Sequence, residues 1–456
     1  MPKKVLFMSV SGDALPVAHR VKREKQVDVA VYLHNPRYQH CYDGLLEKVT
    51  LPNLRRTLKS CDLVFFDITR TNERFRSEPE TEMVHRDAQL LMQFGLKSTE
   101  KSVYGPVADV MRQDIEVIGC SALAEEAEMD RMLGFEIAKE IGLKVPESHE
   151  FKNFDDGVKF LEAHQDSLWI QKPQGNDGFT YLETWEGELA TMMQAEWKEK
   201  YKKPYPFVLQ KVLPKGSVEI DCEGWFDGRD LQAVNFTMED KQFLTGEWGQ
   251  QIGCQNTVVW IKQQEGFLTK ELNNLKPFLL DAGHIGPVNI TVMVNRVDHS
   301  VNWLEATFRP GYDALPVFLS LLETPITHFL YSRFHGTFKK GYAAGERITI
   351  PPFPICNKEE LEKKARGVSV KNHSSTPWFW LEDVRLGDRK WLECAGADGI
   401  IGVVTATGNT VEAASHEVYG RVKRVKVCGK LQLRTDLGRR AQRHIPRLTE
   451  WGFNVR

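Results

Sequence analysis

The chain has 456 residues, of which 41% are apolar, 27% charged and 10% aromatic, the balance of a folded globular protein with room for about three domains. Acidic and basic residues nearly cancel, 62 against 60, so net charge implies no polyelectrolyte partner, and neither a nucleic acid nor a membrane is expected. No apolar run approaches the roughly 20 residues of a membrane span. The opening MPKKVLFMSVSG is too short an apolar run for a signal peptide, and eight scattered cysteines without a C-x-x-C pair suit a reducing cytoplasm.

In chain order, residues 4–10, 28–33 and 61–68 read as short buried strands separated by helix-forming stretches, the pattern of a parallel α/β layer. Residues 69–103 are charged, have helical spacing around 82–95 and look inserted. A helix and a strand follow over 105–121. One long helix is expected over 122–141, closed by Gly142 and Pro146. Residues 207–213, 217–226 and 230–238 alternate like antiparallel strands, with Asp227-Gly228 as a hairpin turn. Residues 287–294 and 301–308 read as a second hairpin, and 324–334 as a helix. PPFP at 351–354 suggests a boundary, and the tail from about 377 mixes strands with one helix near 410–425.

Two stretches suggest chemistry. WIQKPQGNDGFTYL (169–182) is a strand ending in Lys172, a loop containing Gly175 and Gly178, and a second strand. Such a loop can lay backbone N–H groups over phosphates while the lysine supplies charge, although taken alone a surface lysine is the commoner reading. VNWLEATFRPGYDALP (301–316) places Glu305 in an apolar strand, which is costly unless something pairs with it. Strand alternation puts Glu305, Thr307 and Arg309 on one face and Leu304, Ala306 and Phe308 on the other. A carboxylate with a second ligand two residues on suits Mg²⁺, and an arginine two further on suits a phosphoryl group in transfer. The plainer alternative is a structural ion pair between Glu305 and Arg309.

In order, Asp130-Arg131, Gly142-x-x-Val145-Pro146, the lysine–glycine loop, LQKVL (209–213) and Glu305 resemble the ATP-grasp fold. The tail is more specific. Val404-Thr405-Ala406-x-Gly408, the helix from Ala414 to Tyr419, and Arg434-x-Asp436-Leu437-Gly438 resemble the end of phosphoribosylamine–glycine ligases. The resemblance runs the length of the chain. It implies an α/β (α+β) architecture: an N-terminal α/β domain (1–120), an ATP-grasp domain (121–345, lid about 146–212) and a β-rich C-terminal domain (346–456).

The resemblance further implies ATP and Mg²⁺ or Mn²⁺ as cofactors, with nucleotide contacts from Arg131, Lys172, Gly175, Gly178, Gln210, Lys211, Val212 and Glu219. Glu305 and Thr307 would be metal ligands, and Lys172 and Arg309 catalytic groups. The reaction implied is ADP-forming ligation of a small carboxylate, glycine or another amino acid, to an amine through an acyl phosphate, in purine biosynthesis in the family. Departures from the family are concentrated. Thr307 replaces the usual asparagine. GEWGQQIGCQNT (246–257) is a worn version of a glycine-rich segment. In the first loop, SVSGDAL (9–15), Gly12 survives but Asp13 would repel a phosphate. These departures point to retained ATP chemistry with an acceptor other than phosphoribosylamine. A catalytically silent nucleotide-binding regulator or scaffold of the same fold is the alternative. The basic run RVKRVK (421–426) reads as a solvated face.

Overall fold

The short apolar runs at the start form a parallel sheet. In the computed structural model, residues 3–67, 80–97, 102–173, 180–197, 206–354, 357–371, 376–429 and 431–455 are described. Strands β1 (Lys4–Ser9), β2 (Asp28–Leu33), β3 (Glu47–Lys48), β4 (Leu63–Phe66) and β5 (Glu116–Ile118) lie in the order β3-β2-β1-β4-β5, all parallel. Val5, Phe7, Val31 and Phe65 enter one core, whereas Leu6, Met8, Ala30 and Val64 enter another on the opposite face. A sheet covered on both faces is apolar at every position, which is why these runs lack alternation. The strand order reverses between β1 and β4, so a crevice opens at their carboxyl ends, where Ser9–Asp13 and Asp67 sit. The helix expected near 82–95 is Glu80–Gln93. The rest of that charged insertion lies partly outside the described residues.

The single helix expected over 122–141 is two, Ala122–Met129 and Arg131–Glu140. Asp130 between them is extended, with φ −104° and ψ 102°. Its carboxylate accepts the N–H groups of Met132 and Leu133 at 3.0 and 3.4 Å. An aspartate at this position caps a new helix more favourably than it continues an old one. Gly142, at φ +88°, then turns the chain away from the helix end, a conformation that favours glycine.

β6 (Ser148–Phe151), β7 (Trp169–Pro173), β8 (Tyr181–Leu182) and β9 (Phe207–Lys211) form a small antiparallel sheet in the order β6-β9-β7-β8. It has a core of its own, built on Phe154, Trp169, Trp197 and Phe207.

The central sheet is antiparallel: β10 (Val218–Phe226), β11 (Leu231–Leu244), β12 (Trp248–Ile261), β13 (Gly286–Val294), β14 (Val301–Thr307) and β15 (Tyr342–Thr349). Both expected hairpins, β10–β11 and β13–β14, are present. Ile220, Cys222, Phe236, Met238, Ile290 and Val292 face the core. The alternate positions, Glu219, Asp221, Glu223, Thr237, Glu239 and Thr291, form a polar floor on the other face.

The boundary expected after residue 345 falls inside β15. Beyond β16 (Ser369–Val370), β17 (Phe379–Leu381) and the small pair β18 (Val384–Leu386) and β19 (Leu392–Cys394) comes β20 (Ile400–Gly408), which pairs with β15. β20 and β17 extend the central sheet, in the order β14-β13-β10-β11-β12-β15-β20-β17. The tail beyond 377 holds two helices rather than one, Val411–Val422 and Arg439–Glu450. The second buries Ala441, Ile445 and Leu448, one stripe at helical spacing. The basic run at 421–426 is largely a solvated face, with Lys423, Arg424 and Lys426 exposed; Arg421 bonds Glu417 and the Thr405 carbonyl, and Arg424 lies over Trp378.

The worn glycine segment at 246–257 forms the turn and second strand of the β11–β12 hairpin. Its tip is fastened to the tail motif: Arg434 bonds Glu247 at 2.6 Å and the Gln242 carbonyl at 2.9 Å, and the Gly246 N–H donates to Asp436 at 2.9 Å. Among the described residues no helix is long and apolar enough to cross a membrane.

Candidate active site

Strict alternation along β14 would turn Trp303 and Glu305 to the same face. Pairing with β13 resolves the conflict, because Trp303 stands opposite Val292, Glu305 stands opposite Thr291, and Leu304 between them has no counterpart. This one-residue bulge sends Trp303 into the core, 1% exposed, and Glu305 into the cleft, its side chain 38% exposed. Ala306 and Phe308 are buried as expected, whereas Leu304 is half-buried because it is the bulge residue.

Glu305 is not paired with Arg309. Its partner is Arg131, whose Nη1 donates to Glu305 Oε2 at 3.4 Å while its Nε donates to the Pro173 carbonyl at 2.7 Å. Arg131 thus ties the first turn of its helix both to the end of β7 and to β14. Lys172, the last residue but one of β7, is 7% exposed and faces the same place. Burial and the neighbouring Arg131 lower its pKa to about 8, against the pull of Glu305 and Glu219.

Two residues that the sequence did not single out complete this end of the cleft. Lys241 on β11 bonds Glu219 on β10 at 2.6 Å, and Arg440, on the last helix, reaches the other Glu219 oxygen at 3.3 Å. Burial opposes ionisation of Glu219, but Lys241 and Arg440 outweigh it and hold the carboxyl at about 2. Glu305 behaves alike: burial is overcome by Lys241, Arg131 and Lys172, and the group stays ionised. The only sequence signal for Lys241 was strand parity with Thr237 and Glu239. For Arg440 it was adjacency to the Arg434-x-Asp436-Leu437-Gly438 motif.

Further along the floor the balance reverses. Asp221 accepts the hydroxyl of Thr291 and the amide of Asn289, and Glu223 accepts the Asn235 amide at 3.0 Å. Burial and the Asp221 charge raise Glu223 to about 7 and Glu239 to about 8. Thr307, opposite Asn289, lines a cavity of about 30 Å³ with Glu223, Asn289 and Arg309. That is space for one water molecule. Arg309 stands beyond the end of β14, 9% exposed; its Nε donates to Glu128 at 2.9 Å and its guanidinium lies 4.6 Å from the Tyr312 ring. The same Glu128 accepts the Phe308 N–H.

At the hinge, Gln210 is buried and donates to the Ser148 hydroxyl at 3.1 Å. The backbone N–H groups of Lys211 and Val212 bond the carbonyls of Glu147 and Leu168. Gly175 and Gly178 lie outside the described residues. Glu305, with the Thr291 hydroxyl across from it and Thr307 two residues on, offers oxygen donors to a hard cation. Among the described residues no group of three or more His, Cys, Asp or Glu stands together as a metal centre. An ion here would rely on Glu305 and on phosphate oxygens, an arrangement that Mg²⁺ accepts.

The fold is similar to that of the crystal structure of phosphoribosylamine–glycine ligase from Thermotoga maritima, with a TM-score of 0.66 at 14% identity over 95% of this chain and 100% of that one. The chain has the ATP-grasp fold. N5-carboxyaminoimidazole synthetase from Staphylococcus aureus, complexed with ADP, matches with a TM-score of 0.53 at 11% identity over 92% of this chain and 97% of that one. The biotin carboxylase domain of 2-oxoglutarate carboxylase from Hydrogenobacter thermophilus, in complex with MgADP and bicarbonate, matches with a TM-score of 0.56 at 12% identity over 94% and 91%. No protein-family model matches the sequence, and no curated protein matches it. The ATP-grasp assignment therefore rests on shape and on the order of motifs.

Proposed function

We propose that this protein is an ATP-dependent, ADP-forming carboxylate–amine ligase that works through an acyl phosphate. The observation that supports it most directly is the convergence of Lys172, Arg131, Lys241 and Arg440 with Glu219 and Glu305 between the small sheet and the central sheet. Four cations held against two carboxylates leave an excess of positive charge facing the cleft, which suits a triphosphate carrying about four negative charges.

In this reading Lys172 and Arg131 meet phosphate oxygens, and the segment Gln210–Val212 borders the base. Glu305 would hold Mg²⁺, with Thr307 as a second oxygen donor. The ion would supply charge neutralisation on the transferring phosphoryl group. Arg309, fixed by Glu128, presents a stationary positive charge near the end of β14 where the acyl phosphate would form. No covalent nucleophile is required, since aligning the partners and neutralising charge are sufficient. Glycine is the first carboxylate to test, by the resemblance to phosphoribosylamine–glycine ligase. The acceptor is taken to differ from phosphoribosylamine, because Asp13 occupies the first loop. The test is ADP formation from ATP, Mg²⁺ and glycine, with hydroxylamine as trap. Hydroxamate formation supports the ligase, and nucleotide binding with no ADP or hydroxamate rejects it.

A catalytically silent nucleotide-binding scaffold is the second reading. It is favoured by one observation: Thr307, in place of an amide oxygen, leaves Glu305 as the sole strong ligand on β14.

A further inference from the structure

Beyond Arg309 the cleft changes sign. Asp13, in the loop after β1, lies within electrostatic reach of Arg309, Arg347 and Asp313. Asp67, at the end of β4, lies beneath that loop: its Oδ2 accepts the Ala14 N–H at 2.7 Å. From the tail, Glu382 lies within electrostatic reach of Asp313, Arg347, Asp398 and Asp13. Asp13, Asp313, Glu382 and Asp398 therefore lie around Arg347, and Asp67 lies beside Asp13. That guanidinium is already engaged, with Nε and Nη2 donating to the two oxygens of Asp313 at 2.8 and 2.7 Å. Arg309 is held by Glu128, and Arg37, beside Asp398, gives its Nε to the Ala397 carbonyl.

Asp13, Asp67 and Glu382 have no ion-pair partner among the described residues. Asp67 is 2% exposed, and its Oδ1 is buried without any hydrogen-bond partner. Burial and the Asp13 charge raise its carboxyl to about 7. A buried carboxylate oxygen with nothing to bond is expensive, and a donor cation relieves it. The place is also where a ligand is expected on topology: Asp13 and Asp67 stand at the carboxyl ends of β1 and β4, between which the sheet order reverses. From Glu305 the chain runs to the end of β14 and on to Arg309, which lies within electrostatic reach of Asp13 and so joins this region to the phosphoryl end of the cleft.

We propose that the crevice formed by Asp13, Asp67 and Glu382 binds an ammonium group, so that the acceptor amine is a cationic molecule such as a diamine, not a phosphate ester. This rests on the ligase reading given above. One ammonium of the acceptor is held by the carboxylates. The other nitrogen, unprotonated, attacks the acyl phosphate. A C–N bond forms, the acyl C–O bond breaks, and inorganic phosphate leaves with the proton lost by the nitrogen.

The test is calorimetric titration of the whole protein, with ATP and Mg²⁺ present, against 1,4-diaminobutane, butylamine and ribose 5-phosphate. The diamine is expected to bind at least about tenfold more tightly than butylamine, and Asp13→Asn and Glu382→Gln are each expected to remove most of that preference. Two variants are used because either alone can disturb folding, which denaturation midpoints report. Equal binding of the two amines, or tighter binding of ribose 5-phosphate, overturns the inference. Hydroxamate formation with glycine and hydroxylamine is measured separately. Its absence together with tight diamine binding would reject the ligase reading and leave the ammonium site standing; its presence without diamine preference would do the reverse.

Discussion

The Arg131 guanidinium reaches the Glu305 carboxylate at 3.4 Å, joining the first turn of a helix to the bulged strand of the central sheet. The contact is long and Glu305 is more than a third exposed, so the pair adds little to stability. Surface-type pairs of this kind contribute about 0–1 kcal/mol.

Glu305→Ala is therefore expected to unfold at nearly the same denaturant concentration as the parent. ADP formation should fall by about two to three orders of magnitude, the scale for losing a group that stabilises developing charge. Parent-like turnover in this variant would show that the cation assignment is misplaced.

Lys172 sets a pH limit. Its pKa of about 8 lies below the ordinary 10.5, so the unfolded chain binds the extra proton between those values and stability rises with pH across that window. Nucleotide affinity runs the other way, because the charge that meets the phosphates is lost as pH passes through about 8. Dissociation constants for ATP measured from pH 7 to 9.5 should weaken with a slope approaching one proton. Lys172→Arg should flatten the curve; an unchanged slope in that variant would assign the titration elsewhere.

Glu219 acts at the acid end. Its carboxyl falls from the ordinary 4.5 to about 2, so its contribution is complete above about pH 4.5 and disappears as pH drops toward 2. Lys241→Met leaves Glu219 with Arg440, at 3.3 Å, as its remaining ion-pair partner and Lys172 within electrostatic reach. The loss at pH 7 is expected to be about 2–3 kcal/mol in urea denaturation, below the range for wholly buried pairs because both side chains keep some solvent contact.

Arg434→Ala probes the hairpin. The side chain is 1% exposed and holds Glu247, Asp436 and the Gln242 carbonyl. Its removal should cost about 3 kcal/mol or more. It should also weaken ATP binding, since Lys241 lies on the strand whose tip is released. Destabilisation with unchanged ATP affinity would mean that the fastening does not position Lys241.

Thr307→Asn adds an amide oxygen two residues from Glu305. The expected outcome is unchanged stability and a lower Mg²⁺ concentration for half-maximal ADP formation. A large loss of activity instead would indicate that the hydroxyl has a different task in the small cavity beside Glu223.

Much of the fold was legible from the residues. β2 begins and ends where DVAVYL predicts, and both hairpins of the central sheet stand where alternation and Asp227-Gly228 place them. The tail motif was legible as a motif, but not its task of pinning a hairpin tip more than 180 residues away in the chain. The break at Asp130 was readable in principle, because aspartate followed by a helical run is a capping signal. It was masked by the apolar spacing that continues on both sides.

What the amino-acid order determined by itself was local: which segments are apolar, with what period, and which turn residues separate them. Backbone propensity and side-chain parity act over a few residues and leave a trace in neighbouring positions. Only the tertiary structure decided that Glu305 faces Arg131 rather than Arg309, that Leu304 is the bulge that turns it there, and that Lys241 and Arg440 close the same cleft. Those outcomes depend on cross-strand register and on charges brought together from distant parts of the chain, and electrostatic energy is set by distance in space, not by separation in sequence.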